Sequence, residues 1–193
     1  MVVPENIKAI VFDFDGTLFH LDIDWQKLKQ ELGIDPSEKT IGEILQEYIE
    51  IEHPNLQKVT EIEVAAIGDN RLDHATASLL SRLTKQYKLA IFTRNSRQAV
   101  EKVLQGTGLE NRLLVVGRED VENLKPHPEG LGQIATTLGC LISEILLVGD
   151  TYHDIEAAHR VGVVCVIVAN PKLEYTPKGA DKYIGSLLDL NPR

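Results

Sequence analysis

The sequence predicts an α/β protein built on a doubly wound parallel sheet, with a small helical domain inserted after the first strand. Two observations carry this. Short apolar runs rich in Val, Ile and Leu recur without polar alternation, the pattern of strands buried on both faces. Amphipathic helical patterns separate them, so strand and helix alternate along most of the chain. A third observation interrupts the alternation: from about Asp22 to Asp69 only helical patterns occur.

The first run, "AIVF" at 9–12, ends at "DFDGTLFH". Four more follow, "YKLAIFT" (87–93), "RLLVVG" (112–117), "EILLVGD" (144–150) and "VGVVCVIVAN" (161–170), with a short strand expected at Lys182-Tyr183-Ile184. Between them, "HATASLLSRLTKQ" (74–86) sets Ala77, Leu80 and Leu83 on one helical stripe. The stretch "SRQAVEKVLQGTG" (96–108) opens on a Ser cap and runs to glycines, and helices over 127–139 and 154–162 also close at Gly. The interruption holds "DWQKLKQEL", "TIGEILQEYIEIE" and "NLQKVTEIEVAAIG". It reads as a helical cap at 20–69, with the core made of 1–19 and 70–193.

Composition narrows the function. The 193 residues are 43% hydrophobic and carry a formal net charge of -9, enough apolar content for a real core and a poor match to nucleic acid or an anionic membrane. No apolar run approaches the ~20 residues that span a bilayer, and "MVVPENIKAIVF" lacks a basic, cleavable leader. Cys140 and Cys165 form no CxxC pair and read as small buried hydrophobes of a reducing compartment. The expectation is a soluble cytoplasmic protein acting on a small molecule.

In doubly wound sheets ligands bind beyond the carboxyl ends of the strands. Those ends carry Asp13 and Asp15, then Thr93-Arg94-Asn95, then Asp150 with Asp154 four residues on; Lys125 follows the third run. Crowded carboxylates repel unless a cation joins them, and Mg²⁺ suits hard oxygen ligands beside a phosphate. Metal and Lys125 together would make a cationic pocket in an acidic chain. Asp13 is placed to be a nucleophile. Asp15 is placed to serve as general acid and then base, which requires a pKa above the ~3.9 of free Asp. Gly16 lets the backbone approach a phosphate, and Thr17 offers a hydroxyl.

"DFDGTL" at 13–18, Thr93 after a strand, "KPHPEGL" at 125–131 and "GDTYHDIEAA" at 149–158 resemble the four signature motifs of the haloacid dehalogenase superfamily, in its phosphoglycolate-phosphatase-like branch. The resemblance covers roughly residues 7–18 and 74–170. It implies a Mg²⁺-dependent phosphatase working through an aspartyl phosphate on a small phosphorylated metabolite. It implies Asp13 as nucleophile and Asp15 as acid/base. Mg²⁺ would be held by the Asp13 side chain, the Asp15 carbonyl and Asp150, and the phosphoryl group by Thr93 and Lys125. Asp154 would orient the metal's waters or Lys125. Two features depart from the branch: the cap is short, and Arg94 follows the motif threonine, either as an additional phosphate or carboxylate contact or as a solvent-facing cation.

Other readings share the motifs. A sugar phosphomutase would use the same intermediate, and a phospho-accepting switch would hold it without turnover. A dehalogenase has no use for Asp15. A phosphonate-cleaving enzyme needs a cap lysine, with Lys27, Lys29, Lys39 and Lys58 as candidates that otherwise read as helix-surface residues. The histidines show no shared metal-ligand spacing; His20 and His153 adjoin the motifs. Trp25 reads as an apolar anchor of the cap.

Overall fold

A computed structural model describes residues 1–35 and 37–191. Six strands form one wholly parallel sheet: β1 (Ala9–Phe12), β2 (Lys88–Phe92), β3 (Leu113–Val116), β4 (Ile145–Gly149), β5 (Val164–Val168) and β6 (Lys182–Ile184). Their order is β3-β2-β1-β4-β5-β6. The chain leaves β1 toward one edge and β4 toward the other, so the order reverses between these two central strands. A crevice opens at such a point, outside the carboxyl ends.

The helices are α1 (Trp25–Glu31), α2 (Ile41–Glu50), α3 (Asn55–Ile67), α4 (His74–Leu83), α5 (Arg97–Leu104), α6 (Glu129–Leu138) and α7 (Tyr152–His159). Strand side chains alternate between two apolar layers. Ile10, Phe12, Leu146 and Val148 face the layer that receives Leu79, Leu80 and Leu83 of α4 and Val100, Val103 and Leu104 of α5. Ala9, Val11, Ile145 and Leu147 face the layer that receives Leu131 and Ile134 of α6 and Ile155, Ala157 and Ala158 of α7. With both faces covered, no strand needs a polar side, which explains the unbroken apolar runs. No helix among the described residues is long and apolar enough to cross a membrane.

Helix starts follow their caps. Asp24 accepts from the Lys27 N–H, Asp73 from those of Ala75 and Thr76, and Ser96 from that of Ala99. Thr40 and Glu43 form a capping box on α2, and on α7 Asp154 accepts from the N–H and hydroxyl of its N-cap, Thr151. α7 therefore begins two residues before the expected 154, because Asp154 is its third residue and not its entry. α5 ends at Leu104 with Gln105 as its C-cap; Gly106 and Gly108 shape the loop beyond instead of closing the helix. α6 does close at Gly139, in the left-handed conformation.

Between β1 and α4 the described residues hold α1–α3 and no strand. Leu28, Leu45 and Val59 from these helices bury against the same apolar layer as Val121 and Leu124, while Ile67 packs with the layer of α5. Lys29 is a correction to the surface-lysine expectation: it is buried, and its ammonium donates to the Lys39 carbonyl at 3.1 Å.

Candidate active site

Parallel pairing carries the end of each strand to one edge. Asp13 follows β1, and its N–H donates to the Val148 carbonyl at 2.8 Å, extending the ladder toward β4. Thr93 follows β2, its N–H on the Val116 carbonyl of β3 at 3.1 Å. Asp150 follows β4. A cavity of about 400 Å³ opens above these ends. Asp13, Asp15, Gly16, Thr93, Arg94, Lys125 and Asp150 line it beneath Trp25, Ile41 and Leu45 of α1 and α2.

Lys125 is the centre of the polar floor. Its ammonium donates to Asp13 Oδ1 at 2.6 Å and to Asp154 Oδ1 at 2.6 Å, with the Phe92 ring centroid 5.3 Å away. Lysine and both carboxylates are buried. Burial would lower the lysine's pKa, but the two carboxylates outweigh it and hold the ammonium above its ordinary value. One cation cannot serve two buried anions equally. Asp154 also accepts from the Thr151 N–H at 3.1 Å and hydroxyl at 2.8 Å. Burial raises it, yet Lys125 and the Thr151 bonds hold it below the usual carboxylate range. Among the described residues Asp13 has no such extra donors. Burial pushes it up to about 7, with Asp154 and Asp150 adding to the rise and Lys125 opposing it.

Asp150 accepts from the Asn170 amide at 2.7 Å and from the Thr17 hydroxyl at 3.2 Å, and burial raises its pKa against those bonds. Thr17 is thus turned toward Asp150 and does not line the cavity, away from the phosphate contact expected of it. Asp15 accepts from the Leu21 N–H at 2.8 Å, and burial lifts it to about 6. The turn that carries Asp15 is tight. Gly16 has φ +89°, and a Cβ there would lie 2.2 Å from Asp150 Oδ2, so only glycine fits.

Oxygen atoms of Asp13, Asp150 and Asp154 lie within 4.8 Å of one another. Buried carboxylates at this spacing, two of them with raised pKa, fit a hard divalent cation. Both Asp154 oxygens are engaged, Oδ1 by Lys125 and Oδ2 by Thr151, while Asp13 accepts from Lys125 through Oδ1 and Asp150 from Thr17 and Asn170.

Arg94 lies against α2: a Cβ on Gly42 would come within 2.5 Å of its Nη1. Nη1 is 3.5 Å from His153 Nε2. Burial and the Arg94 charge push His153 down to about 4. His20, His153 and Trp25 all line the cavity, so Trp25 is a wall residue as well as an apolar anchor. Lys27, Lys29, Lys39 and Lys58 do not line it, which removes the basis for a cap Schiff base.

Asn95, named at a strand end but given no role, lines the wall, and so do Asn170 and Glu63, which the sequence reading did not single out. Asn170 stands two residues past β5, where the strand-end rule could have found it. Glu63 sits inside an ordinary amphipathic pattern and carries no local signal.

The haloacid dehalogenase-like hydrolase family model matches residues 10–168. The pyrophosphatase PpaX of Bacillus cereus is 31% identical, with 85% of this chain and 84% of that protein covered. The crystal structure of a hydrolase from Pseudomonas syringae superposes with a TM-score of 0.74 at 22% identity, covering 94% and 95% of the two chains. That of a predicted phosphoglycolate phosphatase from Haemophilus somnus gives 0.67 at 20% identity, covering 95% and 96%. The structural neighbours agree with the parallel α/β fold, and the family match and the curated relative together place this chain among the haloacid dehalogenase-like hydrolases.

Proposed function

We propose that the chain is a Mg²⁺-dependent phosphatase of small phosphomonoesters, working through an aspartyl phosphate on Asp13. The observation that carries this reading is the Asp13–Lys125 contact of 2.6 Å at the floor of the cavity, with Asp150 beside it. A carboxylate facing a cavity, next to a fixed ammonium, suits nucleophilic attack on a dianionic phosphoryl group. The names of the relatives, a pyrophosphatase and a predicted phosphoglycolate phosphatase, favour a compact phosphorylated substrate.

In the first step an Asp13 oxygen bonds to phosphorus as the ester P–O bond breaks. Asp15, protonated up to about pH 6, gives its proton to the departing oxygen. Asp15 then takes a proton from water, the water oxygen attacks phosphorus, and the Asp13–P bond breaks to release inorganic phosphate. Lys125 and Thr93 hold the phosphoryl oxygens, with Arg94 as a further cation on the wall. The Asp13 carboxylate, the Asp15 carbonyl and Asp150 would hold Mg²⁺, which when bound offsets phosphoryl and carboxylate charge. Helices α1–α3, residues 20–69, act as a cap that keeps bulk water out of the cavity.

The test is phosphate release from a panel of small phosphomonoesters and pyrophosphate, with and without Mg²⁺, beside Asp13→Asn. Release that needs both Mg²⁺ and Asp13 supports the reading. An isomerised product without free phosphate would replace it by the mutase, and a long-lived phosphoenzyme without turnover by the switch.

A further inference from the structure

A second buried ion pair lies outside the catalytic floor. Glu63 of α3 and Arg118, just after β3, meet at 2.7 Å with 0% and 1% of their side chains exposed. The Glu63 carboxylate also accepts from the Asn95 side-chain amide at 3.0 Å and from the Ser96 N–H at 3.0 Å. Arg118 donates to the Thr60 hydroxyl at 2.6 Å and to the Arg94 carbonyl at 3.4 Å. One acid on α3 therefore grips the loop that joins β2 to α5, and one guanidinium grips both.

The grip continues to Thr93. Asn95 gives its amide nitrogen to Glu63, so its amide oxygen must turn the other way, where it accepts from the Thr93 hydroxyl at 2.9 Å. The Asn95 backbone N–H donates back to Thr93 Oγ1 at 3.1 Å. A β-branched side chain held from both sides stays in one χ1 rotamer. Its hydroxyl hydrogen alone need then rotate, from Asn95 to a phosphoryl oxygen.

We infer that Glu63 is a positioning residue for Thr93, acting through the side-chain amide of Asn95, with Arg118 as the counter-ion that keeps it in place. This rests on the reading of Thr93 as a phosphate contact. A buried acid in α3 has no need of three donors to seal an apolar helix. An ion pair alone would also leave the orientation of the Asn95 amide undetermined. The arrangement further makes α3 part of the phosphate site, although 30 residues of sequence separate Glu63 from Thr93.

The experiment separates positioning from structural support. Replacing the pair by apolar side chains of similar size, Glu63→Leu with Arg118→Met, removes both buried charges together and preserves stability far better than either single change. The readouts are Tm, the affinity for inorganic phosphate in the presence of Mg²⁺, and p-nitrophenyl phosphate hydrolysis. The double variant is expected to regain the Tm lost by Glu63→Leu, while phosphate affinity stays about ten-fold weaker, the size of one lost hydrogen bond to a charged group. In a Thr93→Val background the same pair of changes is expected to cost no further affinity. Asn95→Ala, which leaves the ion pair intact, should reproduce the affinity loss and covers the case of a double variant that does not fold. Phosphate affinity that returns with Tm, an undiminished loss in the Thr93→Val background, or an unaffected Asn95→Ala would each overturn the inference. Wild-type protein that releases no phosphate from any ester would instead overturn the phosphatase reading.

Discussion

Lys125 and Asp13 stand 112 residues apart in sequence and 2.6 Å apart in the fold. Their contact closes the polar floor of the cavity, and Asp154 holds the same ammonium at the same distance. Because every member is buried, each change to the floor affects stability and chemistry together.

Asp13→Asn removes the proposed nucleophile while keeping a carbonyl oxygen that still accepts from Lys125. Phosphate release should fall by about 10³-fold or more. Burial opposes the Asp13 charge, so without Mg²⁺ at pH 7.5 the variant's Tm should equal or exceed that of wild type. Unchanged Mg²⁺-dependent release would disprove Asp13 as the nucleophile.

Lys125→Met leaves Asp13 and Asp154 buried without their counter-charge. Removing one partner of a buried pair costs about 3–5 kcal/mol, read by urea unfolding. Adding Asp154→Asn should recover part of this, because it removes one stranded charge. A Lys125→Met protein as stable as wild type would mean that the ammonium does not organise the floor.

In the pH dependence of stability without metal, Asp13 and Asp15 should oppose His153. Folded Asp13 and Asp15 titrate at about 7 and about 6, above the ~3.9 of an unfolded Asp. The folded chain keeps protons that the unfolded chain has released, so their contribution declines as pH rises from about 4 to about 7. His153 acts the other way: at about 4 when folded against ~6.5 unfolded, it adds stability over that interval. Comparing wild type with Asp13→Asn across pH 4.5–7.5 cancels the histidine. The wild-type Tm should fall relative to the variant as pH rises, and parallel curves would contradict the raised Asp13.

Mg²⁺ must displace any proton on the carboxylates that bind it. Its addition should therefore raise Tm more at pH 7.5 than at pH 5, with affinity weakening by up to about ten-fold per pH unit below about 7 for each proton displaced. An equal increment at both pH values, or one that persists in Asp13→Asn, would place the cation elsewhere.

Gly16→Ala puts a Cβ on Asp150 at a positive φ. The strained backbone alone costs about 1–3 kcal/mol, and the clash displaces Asp150. Both Tm and Mg²⁺ affinity should drop. A variant with normal values would show that the turn has more room than its geometry indicates.

The sheet and most of the site were legible along the chain because both follow short-range rules. Strands buried on two faces must be apolar throughout, and a doubly wound sheet presents its ligand groups at strand ends. Asp13, Thr93 and Asp150 could therefore be picked out before any contact was known, with Lys125 in the loop that follows β3. Helix ends were less legible: α5 stops at Leu104, short of the glycines, because a glycine beyond a helix marks a turn and not the helix's last residue. Thr17 was expected at the phosphate for its hydroxyl, yet that hydroxyl meets Asp150, since a residue's place in a turn does not determine where its side chain points.

By itself, then, the sequence determined the parallel α/β class, the helical stretch after β1 and the ring of strand-end acids with their lysine, all from periodicity and spacing. Only the tertiary structure decided that Lys29 is buried, that Asn170 holds Asp150, and that Glu63 and Arg118 bind α3 to the loop behind Thr93. The reason is physical. Periodicity reports which face of an element is apolar, whereas a buried charge becomes tolerable only through partners on other elements, and those partners are named by how the elements pack.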